Sequence, residues 1–408
     1  MERAHDRIVN GLLKADIGLL TPEQVSARLS QDLLIQVDPT RATANDLWPC
    51  IWFLASVLER QFTGRVYIDA GLNAALPAPI PLGPRCRFVS AADSQSAAMM
   101  IVIGACDARP TSGIVIAGDT RGNAIAYGSP LRTTNPAHPI GCCALAGYLG
   151  FAALAQAVGI PEYHADYRKP VLTLPFHPPT RGVPSQCSVL GTGQLGQAFL
   201  ALGYFLADGN SLAVQLVDKD EFEAENQRTQ ILLSEESMPW LGKPKVAYLS
   251  DICRSWAWEV LPEHTEIQWG WRASRGGLAF LGFDNMDARR IGVEGGFEWI
   301  VEAGVGTDFL RPHISWHSLP PDRELAKTVF ADGHGVSWSD SAFGRSLGET
   351  AASCGRVVFE NVDAAAPSLG LAAISFAWSE LLQYVSGNRT PIGGGAYLWS
   401  PLLPVVRE

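Results

Sequence analysis

Apolar residues in the second half of the chain fall into short runs broken by glycines and charges, the rhythm of buried strands alternating with helices. Residues 186–190 read as a short apolar strand, Gly191-Thr192-Gly193-Gln194-Leu195-Gly196 as a glycine turn, 197–206 as a helix, and 211–217 as a second strand ending in Asp218. Strand, turn, helix and strand make a βαβ unit, and such units build parallel sheets with strands buried on both faces. The pattern predicts further strands at 266–269, 277–283 and 299–303, and a helix over 286–291. Residues 304–344 mix Pro, His, Asp and Trp with little periodicity and read as a long crossing segment. A proline then opens a largely apolar helix over 366–386.

The first half follows a related plan. Strands are predicted at 65–69, ending in Asp69, at 97–104 and at 113–117. Residues 139–159 share with 367–387 a proline start, a register of small residues and a glycine end. No G-x-G-x-x-G occurs in this half. It reads either as a copy of the second half that has lost its nucleotide turn or as an unrelated α/β domain. Between the halves, residues 169–185 carry five prolines, which sustain neither a helix nor a central strand. The expected organisation is an α/β domain over 1–172, a proline-rich linker over 173–185 and a Rossmann-like, mostly parallel α/β domain over 186–408.

Composition narrows the choice. The chain has 408 residues, 47% apolar and 18% charged, which is enough apolar material for two packed domains. A net charge of -10 with scattered basic residues argues against nucleic acid as a partner. No apolar run reaches the length of a spanning helix; 140–160 comes nearest, and its glycines suit a buried helix better. The charged residues 1–7 lack a signal-peptide core, so the expected location is the cytoplasm, with no membrane partner. None of the eight cysteines forms a Cys-x-x-Cys pair, so no zinc is expected.

The glycine turn carries the first chemistry. Gly191 allows a tight turn, Gly193 lets a phosphate approach the backbone, and Gly196 lets helix and strand close together. Asp218, at the end of the next strand, stands where a ribose-binding carboxylate belongs. Three further motifs follow in order: Asp218-Lys219-Asp220 leading to Asn226, Arg228 and Gln230; Gly242-Lys243-Pro244-Lys245; and Asp284-Asn285 with Arg289. The ordered set resembles the ThiF/MoeB/HesA family and the ubiquitin-activating, E1-like enzymes over residues 186–390.

That resemblance implies a site for ATP and Mg2+ that adenylates the C-terminal carboxylate of a ubiquitin-like protein. Asp218 would hold the ribose, with Asp220 beside it. Asn226, Arg228 and Lys245 would contact phosphates, Gln230 matches the family glutamine, and Asp284 would bind Mg2+. Arg289 would contact the nucleotide or pair with a carboxylate, and Lys243 reads as a solvated lysine. The family arginine lies three residues after the asparagine; here that position is Thr229, and Arg228 comes one residue early. Cys354, with Arg356 near it, is the candidate thioester nucleophile, Cys253 the second, and a buried inert thiol the alternative for each. A fused inactive–active pair of compact, bacterial type is implied, handing its acyl group to a conjugating enzyme. A homodimer, with Arg3 or Arg7 reaching a partner's ATP, is a further implication. Rival readings are adenylation of another carboxylate without a thioester, an NAD-dependent oxidoreductase, and a non-catalytic scaffold.

Overall fold

The computed structural model describes residues 21–37, 45–69, 77–89, 97–104, 114–121, 124–127, 137–159, 172–175, 182–306, 313–330, 366–387, 390, 392–397 and 406–407. They form two mixed sheets. The first contains β1 (Leu33–Val37), β2 (Val66–Asp69), β3 (Cys86–Phe88), β4 (Met99–Ile103), β5 (Ile114–Arg121), β6 (Ala124–Tyr127) and β7 (Leu172–Pro175). Its order is β3-β2-β1-β4-β5-β6-β7, parallel through β5 and antiparallel beyond.

The second contains β8 (Gln186–Leu190), β9 (Ala213–Asp218), β10 (Glu259–His264), β11 (Leu278–Leu281), β12 (Trp299–Val305), β13 (His313–Leu319), β14 (Ile392–Tyr397) and β15 (Val406–Arg407). Its order is β10-β9-β8-β11-β12-β13-β14-β15, parallel from β10 to β12 and antiparallel from β13. Strand for strand, the second sheet repeats the order and direction of the first and adds β15.

Three expectations are corrected. The strand sought at 266–269 lies earlier, as β10, a polar edge strand containing Pro262. An edge position tolerates a proline because one side of the strand needs no ladder hydrogen bonds. The segment 304–344 contains β13 and a helix, Arg323–Val329, besides residues outside the described set. The buried positions of β13 are Ile314, Trp316, Ser318 and Leu319, and the polar Ser318 ends the apolar alternation after two residues. The stretch 173–185 is not wholly a linker, since most of β7 lies within it.

Three helices lie between the sheets: α1 (Trp48–Gln61), α2 (Pro139–Val158) and α3 (Pro367–Val385). Every residue of α1 is buried, its terminal Glu59, Arg60 and Gln61 included. Among the described residues α2 is the one helix long and apolar enough to cross a membrane, and 94% of its apolar window is buried within the protein. It packs along α3 at small residues. A Cβ on Gly147 would stand 2.7 Å from both the Ala372 nitrogen and the Ser368 oxygen. A Cβ on Gly150 would meet Val57 of α1 at 2.8 Å. Gln61 Nε2 donates to Ser368 Oγ at 2.5 Å, tying α1 to the same contact. On the far side of α3, Trp378 stacks on Phe199, which stacks on Phe280 of β11, with 4.4 Å between centroids in each pair. One apolar core therefore runs through both sheets.

The α2–α3 contact predicts that Gly147→Val destabilises the whole chain. Overpacking of this kind costs about 1–3 kcal/mol. The expected readout is a lower urea midpoint, with both halves unfolding in one transition by tryptophan fluorescence.

Candidate nucleotide-binding site

β8 lies between β9 and β11, and the chain leaves it toward β9 before returning to β11 on the other side. The crevice outside the strand ends at such a reversal is where parallel α/β sheets take ligands. The glycine turn follows β8 into that crevice. Gly191 has φ +85°, and a Cβ on it would lie 2.8 Å from the Gly282 carbonyl carbon. A Cβ on Gly196 would run into the Gly191 carbonyl oxygen. Both glycines are thus demanded by the fold. Gly193 is not: its φ is -71°, and a Cβ there would meet nothing within 4 Å. It is also the N-cap of helix α4 (Gln194–Ala207), and no side chain caps that end. Free amides at a helix start favour an anion.

Asp218 closes the turn from beneath. It is 6% exposed, and its Oδ2 accepts from the Thr192 amide at 2.6 Å and the Thr192 hydroxyl at 2.8 Å. Its Oδ1 accepts from the Asp220 amide at 2.9 Å. A carboxylate offers about four acceptor directions, so Oδ1 retains capacity for a ligand hydroxyl. Lys245 starts helix α5 (Lys245–Ser255) and is buried, with Nζ 3.0 Å from Asp220 Oδ2. Its backbone amide also donates to the Asp220 carbonyl at 3.0 Å. Asp220 itself is half exposed, which leaves this ion pair at the rim. Lys243 lies over the Trp240 ring, 5.0 Å from the centroid.

Asn226 and Arg228, the other expected phosphate residues, and Gln230 are each engaged with protein. Asn226 is buried, and its side chain accepts from the Glu223 amide in a capping box. Arg228 Nη2 donates to the Gln61 carbonyl at the end of α1, at 3.3 Å. Gln230 is buried, with Oε1 accepting from Gln197 Nε2 at 2.6 Å.

Asp284 is exposed just after β11, one residue before Asn285 caps helix α6 (Met286–Val293). It shares its surroundings with Lys219, whose ammonium bonds Glu266 at 2.6 Å. That bond chiefly raises the Lys219 pKa, and Asp220 and Asp284 both add to the effect. Arg289 makes the pairing with a carboxylate that was one of its two expected roles. Its Nε donates to the Phe283 carbonyl at 2.6 Å, and Nη1 pairs with Glu302 of β12. Glu302 is fully buried and also bonds His317 Nδ1 at 2.8 Å. The sequence reading missed Glu302, although a lone acid inside the apolar run Trp299–Val305 was its signal.

Cys354 lies outside the described residues. Cys253 sits on α5, buried, with its thiol pKa raised by that burial. Burial likewise raises Cys143 and Cys86, and pushes Cys187 up to about 12. Those four thiols stay protonated at neutral pH and do not suit nucleophilic attack.

Residues 183–388 match the family described as the BilD C-terminal domain. The chain belongs to this family. A relative from Collimonas sp. (strain OK412), the bacterial E1-like protein BilD, is 28% identical over 219 residues, 51% of this chain. The match covers 46% of the BilD protein, so the chain spans about half of that relative. The resemblance to E1-like proteins drawn from the four ordered motifs thus holds at the family level. Solved structures show fainter likenesses. Escherichia coli MccB with MccA-N7isoASN aligns with TM-score 0.37 and 13% identity over 55% of this chain and 64% of that one. PaaA aligns with TM-score 0.35 and 14% identity over 65% and 71%.

The Arg289–Glu302 pair predicts that Glu302→Ala is strongly destabilising. Removing one partner of a buried pair costs about 3–5 kcal/mol because the other charge is left buried. Urea denaturation should show a loss of that size, and Glu302→Gln should lose less.

Proposed function

We propose that the second half binds Mg-ATP and adenylates the C-terminal carboxylate of a ubiquitin-like protein. The first half is then a non-catalytic copy that completes the fold. The observation that carries this reading is Gly193, a glycine the fold does not need, left open above uncapped helix amides and beside the Asp218 carboxylate. Lys245, buried and paired with Asp220 two residues after Asp218, is the cation that would meet the phosphates of a nucleotide held there. The substrate carboxylate attacks the α-phosphorus, an oxygen–phosphorus bond forms, and pyrophosphate leaves. Cationic groups serve such a step by neutralising charge that grows on the phosphates. Lys245 suits that task once phosphate competes with Asp220 for its ammonium.

No three His, Cys, Asp or Glu side chains converge as a metal cage among the described residues. One carboxylate with substrate phosphates is an ordinary way to hold Mg2+, so Asp284 fits that need. When bound, the ion would screen the phosphate oxygens. The second step in this reading is transfer of the acyl group to Cys354. The thiolate attacks the mixed anhydride, AMP leaves, and a thioester forms for a conjugating enzyme to receive. Adenylation without that thioester, and a scaffold without nucleotide, are outcomes of the same tests. NAD binding is favoured by the turn and Asp218 alone; Lys245 and Asp284 have no place in it.

Calorimetric titration decides among these. Mg-ATP should bind, and Asp284→Ala should weaken it about tenfold or more, the scale of one charge-assisted contact. Gly193→Val should weaken binding to a similar degree while lowering the melting temperature less than Gly196→Val, which drives a side chain into backbone. NAD binding indifferent to Asp284→Ala sinks the adenylation reading. With a ubiquitin-like protein added, pyrophosphate exchange should survive Cys354→Ala, and a thiol-sensitive adduct should not.

A further inference from the structure

The glycine turn is held from the first half of the chain. Arg60, the penultimate residue of α1, is 7% exposed and reaches across to the loop after β9. Its Nη1 donates back to the Ser56 carbonyl at 2.9 Å. Its Nε donates to the Gln230 carbonyl at 2.8 Å, and Nη2 to the Leu233 carbonyl. From Gln230 the bonding continues inward. Gln197 Nε2 donates to Gln230 Oε1 at 2.6 Å and lies 3.3 Å from the Thr192 carbonyl. Gln197 Oε1 accepts from the Leu232 amide at 3.1 Å. Thr192 then makes its two bonds to Asp218. Gln230, Gln197 and Thr192 are each at most 2% exposed, so water does not compete with these bonds.

A guanidinium taken out of water needs acceptors for its donors, and three carbonyls take one N–H from each of its three nitrogens here. Glu59, 3.9 Å away, offsets part of the charge. Lys carries its three donors on one nitrogen and cannot span carbonyls set around a planar fork, and Met carries none. We propose that Arg60 is a positioning residue through which the first half sets the glycine turn and Asp218, making nucleotide affinity in the second half depend on the first. The inference rests on the nucleotide reading of that turn. Arg60 itself acts through Gln230 and Gln197.

The test uses the full chain with Arg60→Met, Arg60→Lys, Gln197→Leu and the double variant Arg60→Met/Gln197→Leu. Hydrogen exchange is measured without nucleotide, and Mg-ATP affinity by calorimetry. Arg60→Met should speed exchange in peptides over both 228–233 and 191–197. It should also weaken Mg-ATP about tenfold. Arg60→Lys should restore little of this, and the double variant should lose less than the sum of its parts. Faster exchange confined to 228–233, or losses that add in full, overturns the proposal. Should Arg60→Met fail to fold, Arg60→Lys carries the same two readouts. If the wild-type chain takes no Mg-ATP, the nucleotide reading falls by itself, and the response of 191–197 to Arg60→Lys still decides the coupling.

Discussion

The pairing of α2 with α3 is the constraint on which the rest of the structure depends. Each helix is apolar around most of its surface, and neither can bury that surface against one sheet alone. Gly147 and Gly150 remove the side chains that would hold the helices apart, so backbones meet and the neighbouring side chains interdigitate. A fully buried large apolar side chain contributes about 1.5–3 kcal/mol, and the two helices supply many. The result is a shared core in which two sheets of the same strand order cannot move independently. That core also fixes where α1 ends, and hence where Arg60, Gln61 and the Arg228 contact meet.

Upon that frame the glycine turn adds a second level of constraint. Gly191 and Gly196 are fixed by backbone that comes too close for any side chain. Asp218 then locks Thr192 by two hydrogen bonds. A buried carboxylate held by those two bonds and by the Asp220 amide has little conformational freedom left to lose. The half-exposed Asp220 and the buried Lys245 show the converse economy. The ammonium is kept in place by a partner that still faces water, so water screens their attraction.

The candidate site was only partly legible in the residues. The turn, Asp218, Lys245 and Asp284 could be read because glycine spacing and strand-end acids are local signals. The partners of Arg289 and Arg228 could not. Arg289 and Glu302 are thirteen residues apart on different elements, and Arg228 meets Gln61 across 167 positions of sequence. A charge gains its meaning from what desolvates it, and that is a property of packing.

Taken alone, the sequence determined the βαβ start, the four ordered motifs, the two apolar helices and the absence of a glycine turn in the first half, each through local spacing or composition. Only the tertiary structure decided that the strand order repeats, that β10 lies at Glu259–His264, and that the proline-rich stretch begins with a strand. It alone decided that Arg289 serves a buried acid and that Arg60 binds two carbonyls in the other half. Strand pairing and buried ion pairs join residues distant in the chain. Their free energy depends on which groups leave water together, and no local pattern carries that information.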